Sequence, residues 1–401
     1  MLKKISTKKL VPGMFIVDSG INWLDNPYLY SSDVLATAEL IESILSEGYH
    51  EVFIDTDRCA KESLSQSFEI EEEFGEVLAD TEAPLDFVPA ETSLAVEMPA
   101  AKEAYVSAIE LSRVYMDGIR RGDNVELHKA KSLVDSVLAS LGRNPDALMG
   151  LCKLRDTDDY TYTHSVNVSV LAMMFAKYMS FPHNVQHSVG MAGIFHDLGK
   201  ALVPIELINA PRQLTDEEFA ILRKHPRLGY EQVKKTPGFT QDILLGIYDH
   251  HERFNGSGYP RGISGDTISL TGRILAMVDV YDALSSRRPY KEAMLPHKVL
   301  GIMYQMRGED FYPGFMEHFI RMLGIYPVGS VVQLETGDIG VVSSANQGKP
   351  TKPKVLILQN SEQKPIQPRE IDTSVNGSPL VIRCLTEGES PIDPGKALNV
   401  K

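Results

Sequence analysis

The 401-residue sequence predicts a mainly α protein: a helical domain over residues 102–325, a small α/β domain before it (1–61) and a small β-rich extension after it (326–401). Three observations carry this reading. Apolar residues recur at helical spacing from Tyr105 to Leu323. Short strand-like runs cluster near the two ends of the chain. An acidic segment with Pro84, Pro89 and Pro99 separates the first of these regions from the helical one.

Taken in order, Met14–Val17 and Glu51–Asp55 read as strands. Between them Ala36 to Leu45 has helical spacing, with Gly48 as its stop. Residues 62–101 read as a solvated linker, since Glu62 to Glu97 holds eleven acidic residues and no Lys or Arg. Tyr105, Ile109, Ser112, Met116 and Ile119 mark one helix. Leu127, Ala130, Val134, Val137 and Leu141 mark a second, ended by Gly142-Arg143-Asn144-Pro145. Val166 to Met179 is apolar on most sides and so predicts a buried helix. After Tyr326-Pro327-Val328-Gly329 come strand-like runs at Ser330–Leu334, Ile339–Ser343 and Lys354–Leu358, with Thr336-Gly337-Asp338 as a hairpin turn. Residues beyond Ser374 are expected to be loosely ordered.

Composition narrows the function classes. A net charge of −14 argues against a polymeric nucleic-acid partner. The acidic segment holds most of that charge, so a small anionic substrate stays compatible with local basic residues. No apolar run reaches the roughly 20 residues of a membrane helix. Three scattered cysteines without CxxC spacing suit a reducing cytoplasm.

The chemistry concentrates in Ile194-Phe195-His196-Asp197-Leu198-Gly199-Lys200. Burying an imidazole, a carboxylate and an ammonium together is costly unless they coordinate a metal or pair with one another. His164, His225, the adjacent His250 and His251, and Asp279 supply further candidate ligands from separate helices. An Asp directly after a His can bridge two ions with its two oxygens. Two ions ~3.5–4 Å apart can hold a hydroxide and clamp a phosphoryl group. Lys200, one turn beyond His196, projects toward the same place. His50, His128, His183, His187, His297 and His318 read as structural.

These blocks resemble the HD-GYP family of phosphodiesterases, within the HD superfamily of metal-dependent phosphohydrolases. The HD signature is His196-Asp197-Leu198-Gly199-Lys200. The second runs from His250-His251-Glu252-Arg253 to Gly258-Tyr259-Pro260, with Lys224-His225-Pro226 between them and Asp279 to Leu284 after them. The first 60 residues resemble a small domain of unknown function that often precedes such modules.

The resemblance implies an all-helical HD-type domain acting on cyclic di-GMP, giving pGpG, with the further step to GMP left open. The alternatives are a cyclic GMP-AMP phosphodiesterase or a catalytically weak effector that binds cyclic dinucleotides. It implies His164, His196, Asp197, His225, His250, His251 and Asp279 as ligands of two divalent ions. Asp197 and Lys200 would be catalytic. Lys200, Arg253, Gly258, Tyr259, Pro260, Arg288 and Lys291 would bind substrate, with Tyr259 stacking on or bordering the guanine. Some relatives carry a Glu that recruits a third metal. Tyr160 stands there, with Asp158 and Asp159 as weak substitutes, which favours two metals. Ligands without thiolate suit iron or manganese. The N-terminal residues hold no motif block and are expected to act by docking, by restricting access, or through a homodimer or signalling partner.

Overall fold

The computed structural model describes residues 2–7, 10–17, 29–30, 32–46, 49–55, 58–59, 90–123, 125–153, 160–208, 210, 212, 214–286, 294–346, 348–386 and 388–400. Arg288, Lys291, Asp158, Asp159, Gly48 and most of the acidic segment lie outside them.

The N-terminal sheet comprises β1 (Leu2–Ser6), β2 (Phe15–Val17), β3 (Leu29–Tyr30), β4 (Val34–Leu35) and β5 (Glu51–Asp55), with α1 (Ala38–Ser46) before β5. Strand β5 is central, antiparallel to β1 and β2 and parallel to β3. Its Val52, Phe53 and Ile54 are buried on both faces, as a continuous apolar run requires.

The helical region begins earlier than the sequence suggests. Helix α2 (Leu94–Arg121) starts inside the stretch read as linker, where Ser93 caps it by accepting from the Val96 amide. Glu97, one of the eleven acidic residues, is buried. Its carboxylate accepts from Arg143 Nε at 2.6 Å and from the Ser140 hydroxyl at 2.8 Å, tying α2 to α3 (Leu127–Arg143). A charge that looks solvated in sequence is therefore a paired interior group, so the linker reading fails over 94–101.

Helices α4 (Pro145–Lys153), α5 (Tyr160–Tyr178) and α6 (His183–Phe195) follow. After a short 3-10 turn at Leu198–Leu202 come α7 (Ile205–Ile208), α8 (Asp216–Leu222), α9 (His225–Val233) and α10 (Gln241–Asp249). The domain ends with α11 (Leu270–Ser285), α12 (Pro296–Gln305) and α13 (Phe315–Leu323). Helix α5 packs on α6 and α11, and α10 packs on α6, α9 and α11. The buried run from Thr271 to Leu284, with one intermediate residue, makes α11 a core helix rather than an amphipathic one.

The C-terminal sheet has the order β10-β6-β7-β8-β9, all antiparallel, from β6 (Val331–Leu334), β7 (Ile339–Ser344), β8 (Lys354–Gln359), β9 (Pro365–Asp372) and β10 (Val381–Cys384). The expected hairpin turn joins β6 to β7, with Gly337 at φ 86°. Strand β9 escapes a sequence reading because it is an exposed, polar edge strand with two prolines. The region after Ser374 is not loose. Strand β10 pairs with β6, α14 (Pro394–Ala397) follows, and Leu398 and Val400 are buried in the core shared with the helices.

Candidate metal centre

Each ligand candidate sits where a helix begins, ends or is fully buried. His164 lies within α5. His196 caps the end of α6 and Asp197 follows it. His225 opens α9, His250 caps α10 with His251 next, and Asp279 is mid-way along α11. All seven are buried. They form overlapping groups: His225, His250 and His251; His164, His196 and Asp279; and His196, Asp197 and His250.

Orientation follows from local hydrogen bonding. The Nδ1 atoms of His196, His225 and His250 each face a backbone carbonyl three residues back, on Gly193, Leu222 and Ile247, at 2.8, 2.9 and 2.7 Å. Each Nδ1 therefore carries the proton, and each Nε2 points inward with its lone pair. His225 Nε2 and His250 Nε2 face each other at 3.2 Å. Two lone pairs so placed repel unless a cation lies between them. His196 Nε2 and Asp197 Oδ1 are buried without a hydrogen-bond partner, a cost that a metal ion would remove.

Asp197 stands between the groups. Its Oδ1 is 3.3 Å from His225 Nε2, while its Oδ2 is 3.4 Å from His196 Nε2 and 3.6 Å from His164 Nε2. His164 Nε2 is also 3.0 Å from Asp279 Oδ1. Protonation states suit coordination. Burial drives His225 down to about 4, and burial together with neighbouring imidazoles holds His250 and His251 well below their ordinary value. Burial alone would raise the Asp197 carboxyl, but Lys200, His196, His225 and His164 outweigh it and hold the group well below the carboxylate range. Neutral imidazoles beside ionised carboxylates are what a divalent ion needs.

The ligands approach one another through a glycine contact. A Cβ on Gly199 would sit 2.0 Å from the His225 carbonyl oxygen and 2.5 Å from Gly229 N. Only glycine lets the 3-10 turn lie on α9 and bring His225 beside Asp197. The second signature is closed on itself by its flanking acids. Glu252 accepts from the Arg261 and Ile263 amides at 2.6 and 3.1 Å, and Asp249 accepts from Arg261 Nη2 at 2.6 Å.

The substrate residues expected from sequence fare differently. Lys200 Nζ donates to Asp197 Oδ2 at 2.8 Å and remains part-exposed. Tyr259 is only 8% exposed, and its ring stacks on His251 at 4.7 Å between centroids. The tyrosine thus packs against an imidazole of the cluster, at the place where the expected guanine would have to meet it. Gly258 serves the loop itself, since a Cβ there would meet Arg253 N at 2.3 Å. Pro260 follows a cis peptide bond. Arg253 is buried, with its guanidinium 5.9 Å from the centre of the Phe311 ring. Tyr160 opens α5.

Two residues were missed in sequence. Asp282 is buried and accepts from His164 Nδ1 at 2.7 Å, which turns Nε2 of that histidine inward. Its signal was available: it lies one turn after Asp279 on the same helix. Arg223, two residues before His225, holds its guanidinium 4.4 Å from the centre of the Tyr259 ring. Asp282→Ala should weaken metal affinity about 10–100-fold while the fold survives. Titration of metal-free protein with manganese(II) checks this.

Residues 150–313 match the HD domain family, residues 2–130 a domain of unknown function (DUF3391), and residues 331–390 a KOW domain associated with the HD domain. The chain is 33% identical to a cyclic di-GMP phosphodiesterase of Pseudomonas aeruginosa over 382 residues, covering 92% of this chain and 88% of that protein. It is 35% identical over 199 residues to a cyclic di-GMP phosphodiesterase response regulator of Xanthomonas campestris, covering 48% of this chain and 53% of that one. A 3'3'-cGAMP-specific phosphodiesterase of Vibrio cholerae is 34% identical over 145 residues, 36% of this chain and 33% of that one.

Proposed function

Because this chain belongs to the HD-GYP family of HD-domain phosphodiesterases, we propose that it hydrolyses cyclic di-GMP to linear pGpG at a centre of two divalent ions, iron or manganese. The observation that carries this is Asp197, whose two oxygens face different imidazole groups. Bound ions would supply an activated water and polarise the scissile phosphate. The rest falls to the protein. His225, His250 and His251 would hold one ion, and His164, His196 and Asp279 the other, with Asp197 available to both. A donor set of imidazole and carboxylate without thiolate favours iron or manganese over a structural zinc. Lys200 offsets charge on a phosphate oxygen, from the part-exposed rim of the cluster.

Arg223 is a further grip on the dianionic substrate. It flanks a ligand helix and rests on the tyrosine that packs against His251. Arg223→Ala should raise KM about tenfold with kcat and metal content nearly unchanged, and the effect should shrink at high salt. Steady-state kinetics at two ionic strengths would reveal it.

The reading as a whole is tested by turnover of cyclic di-GMP and 3'3'-cGAMP with anaerobically purified protein, with metal analysis of the same sample. Preferred cleavage of cyclic di-GMP is expected. A preference for 3'3'-cGAMP would reassign the substrate, and metal-loaded protein inert toward both would overturn the proposal.

A further inference from the structure

The N-terminal sheet reaches the metal-ligand loop through one buried ion pair. Lys4, on β1, has a side chain only 7% exposed, with Nζ 2.6 Å from Asp310 Oδ2 and 2.8 Å from Glu51 Oε1. The Asp310 side chain is 6% exposed. A carboxylate so buried is costly unless paired, so Lys4 fixes where Asp310 can sit.

Asp310 belongs to the turn between α12 and α13, and that turn cradles the second signature. The Phe254 amide donates to the Asp310 carbonyl at 3.0 Å and the Asn255 amide to the Glu309 carbonyl at 2.8 Å. The rings of Phe254 and Tyr312 meet edge to face at 5.6 Å. Phe254 stands three residues after His251. The path from the N-terminal sheet to a candidate metal ligand is thus one ion pair, one backbone hydrogen bond and three residues of chain. Val17 and Phe53 join the core of the helices, so the sheet is docked by apolar packing as well.

We propose that the N-terminal α/β domain braces the metal-ligand loop, with Lys4 as a positioning residue that presses the Glu309–Asp310 turn onto Phe254 and Asn255. Its importance for catalysis rests on the metal reading above, but its structural content does not. The test uses the full chain with Lys4→Met, Lys4→Arg and Lys4→Met/Asp310→Asn. Hydrogen exchange of the Phe254 and Asn255 amides and manganese(II) affinity, followed by electron paramagnetic resonance, are read for each.

Lys4→Met should speed exchange at those two amides about tenfold with α5 unchanged, the pattern of local opening. It should weaken manganese binding by about the 10–100-fold typical of lost ligand support. Lys4→Arg should behave as the native protein. The double variant should recover part of the loss, because the deeply buried Asp310 charge is gone and only the more exposed Glu51 has lost its lysine. Unchanged exchange at Phe254 and Asn255 in a folded Lys4→Met protein would overturn the brace. So would a rise shared equally by α5, which would make the pair a general stabiliser. Failure of the native protein to bind manganese would instead count against the metal reading, leaving the exchange result to judge the brace.

Discussion

Asp197→Ala should abolish turnover while the helical fold persists. The side chain is buried and its two oxygens serve both imidazole groups, with Oδ1 toward His225 and Oδ2 toward His196 and His164. In the proposed two-ion arrangement, losing it would remove the ligand shared by both ion positions. A fall in kcat of roughly 10³-fold or more is expected, the scale of losing groups that stabilise charge in the transition state. Metal content should fall with it. The fold should hold because the surrounding helices are fixed by their own apolar packing, and removing a buried carboxylate also removes its desolvation cost. Activity assay, metal analysis and circular dichroism on one preparation check this. A variant that keeps both its activity and two equivalents of metal would sink the shared-carboxylate arrangement.

Gly199→Ala should be the most damaging methyl group that can be added near the site. The new Cβ would lie 2.0 Å from the His225 carbonyl oxygen and 2.5 Å from Gly229 N, and neither is a side chain that can turn away. The 3-10 turn and α9 must separate, and His225 then leaves Asp197. A loss of about 3 kcal/mol or more is expected, at the upper end for overpacking. That corresponds to a fall in Tm of roughly 6–12 °C for a domain of this size. Gly229→Ala is the control from the same contact. Its Cβ would stand 3.1 Å from Gly199 N, so a small shift suffices. Thermal melts of the two variants should therefore differ clearly, with metal retained in Gly229→Ala and lost in Gly199→Ala. Equal melting temperatures would show that the turn and helix can separate without cost.

Residue types and their ordered blocks were enough to single out the seven candidate ligands, which the structure brings into overlapping buried groups. Five imidazoles and two carboxylates in ordered blocks on apolar helices can be read without coordinates, because burying them requires a common counter-charge. The helices from Leu127 and around Val166 were legible for the same reason, being set by local apolar spacing. So was the run from Glu51 to Asp55, which forms β5 as read. Tertiary structure decided what each group faces. Asp282 became the partner of His164 across 118 residues of sequence: its place one turn after Asp279 marked the face it lies on, but only packing chose the histidine. Tyr259 was read in sequence only as a base-facing residue, and its packing on His251 became visible because the Gly258 contact folds its loop back on the Glu252–Arg253 backbone. Glu97 looked like linker charge until Arg143, from the end of another helix, paired with it. The placement of the N-terminal sheet was equally hidden, since Lys4 and Asp310 are 306 positions apart. Sequence records which groups must be buried together, whereas long-range packing chooses the partner that makes each burial affordable.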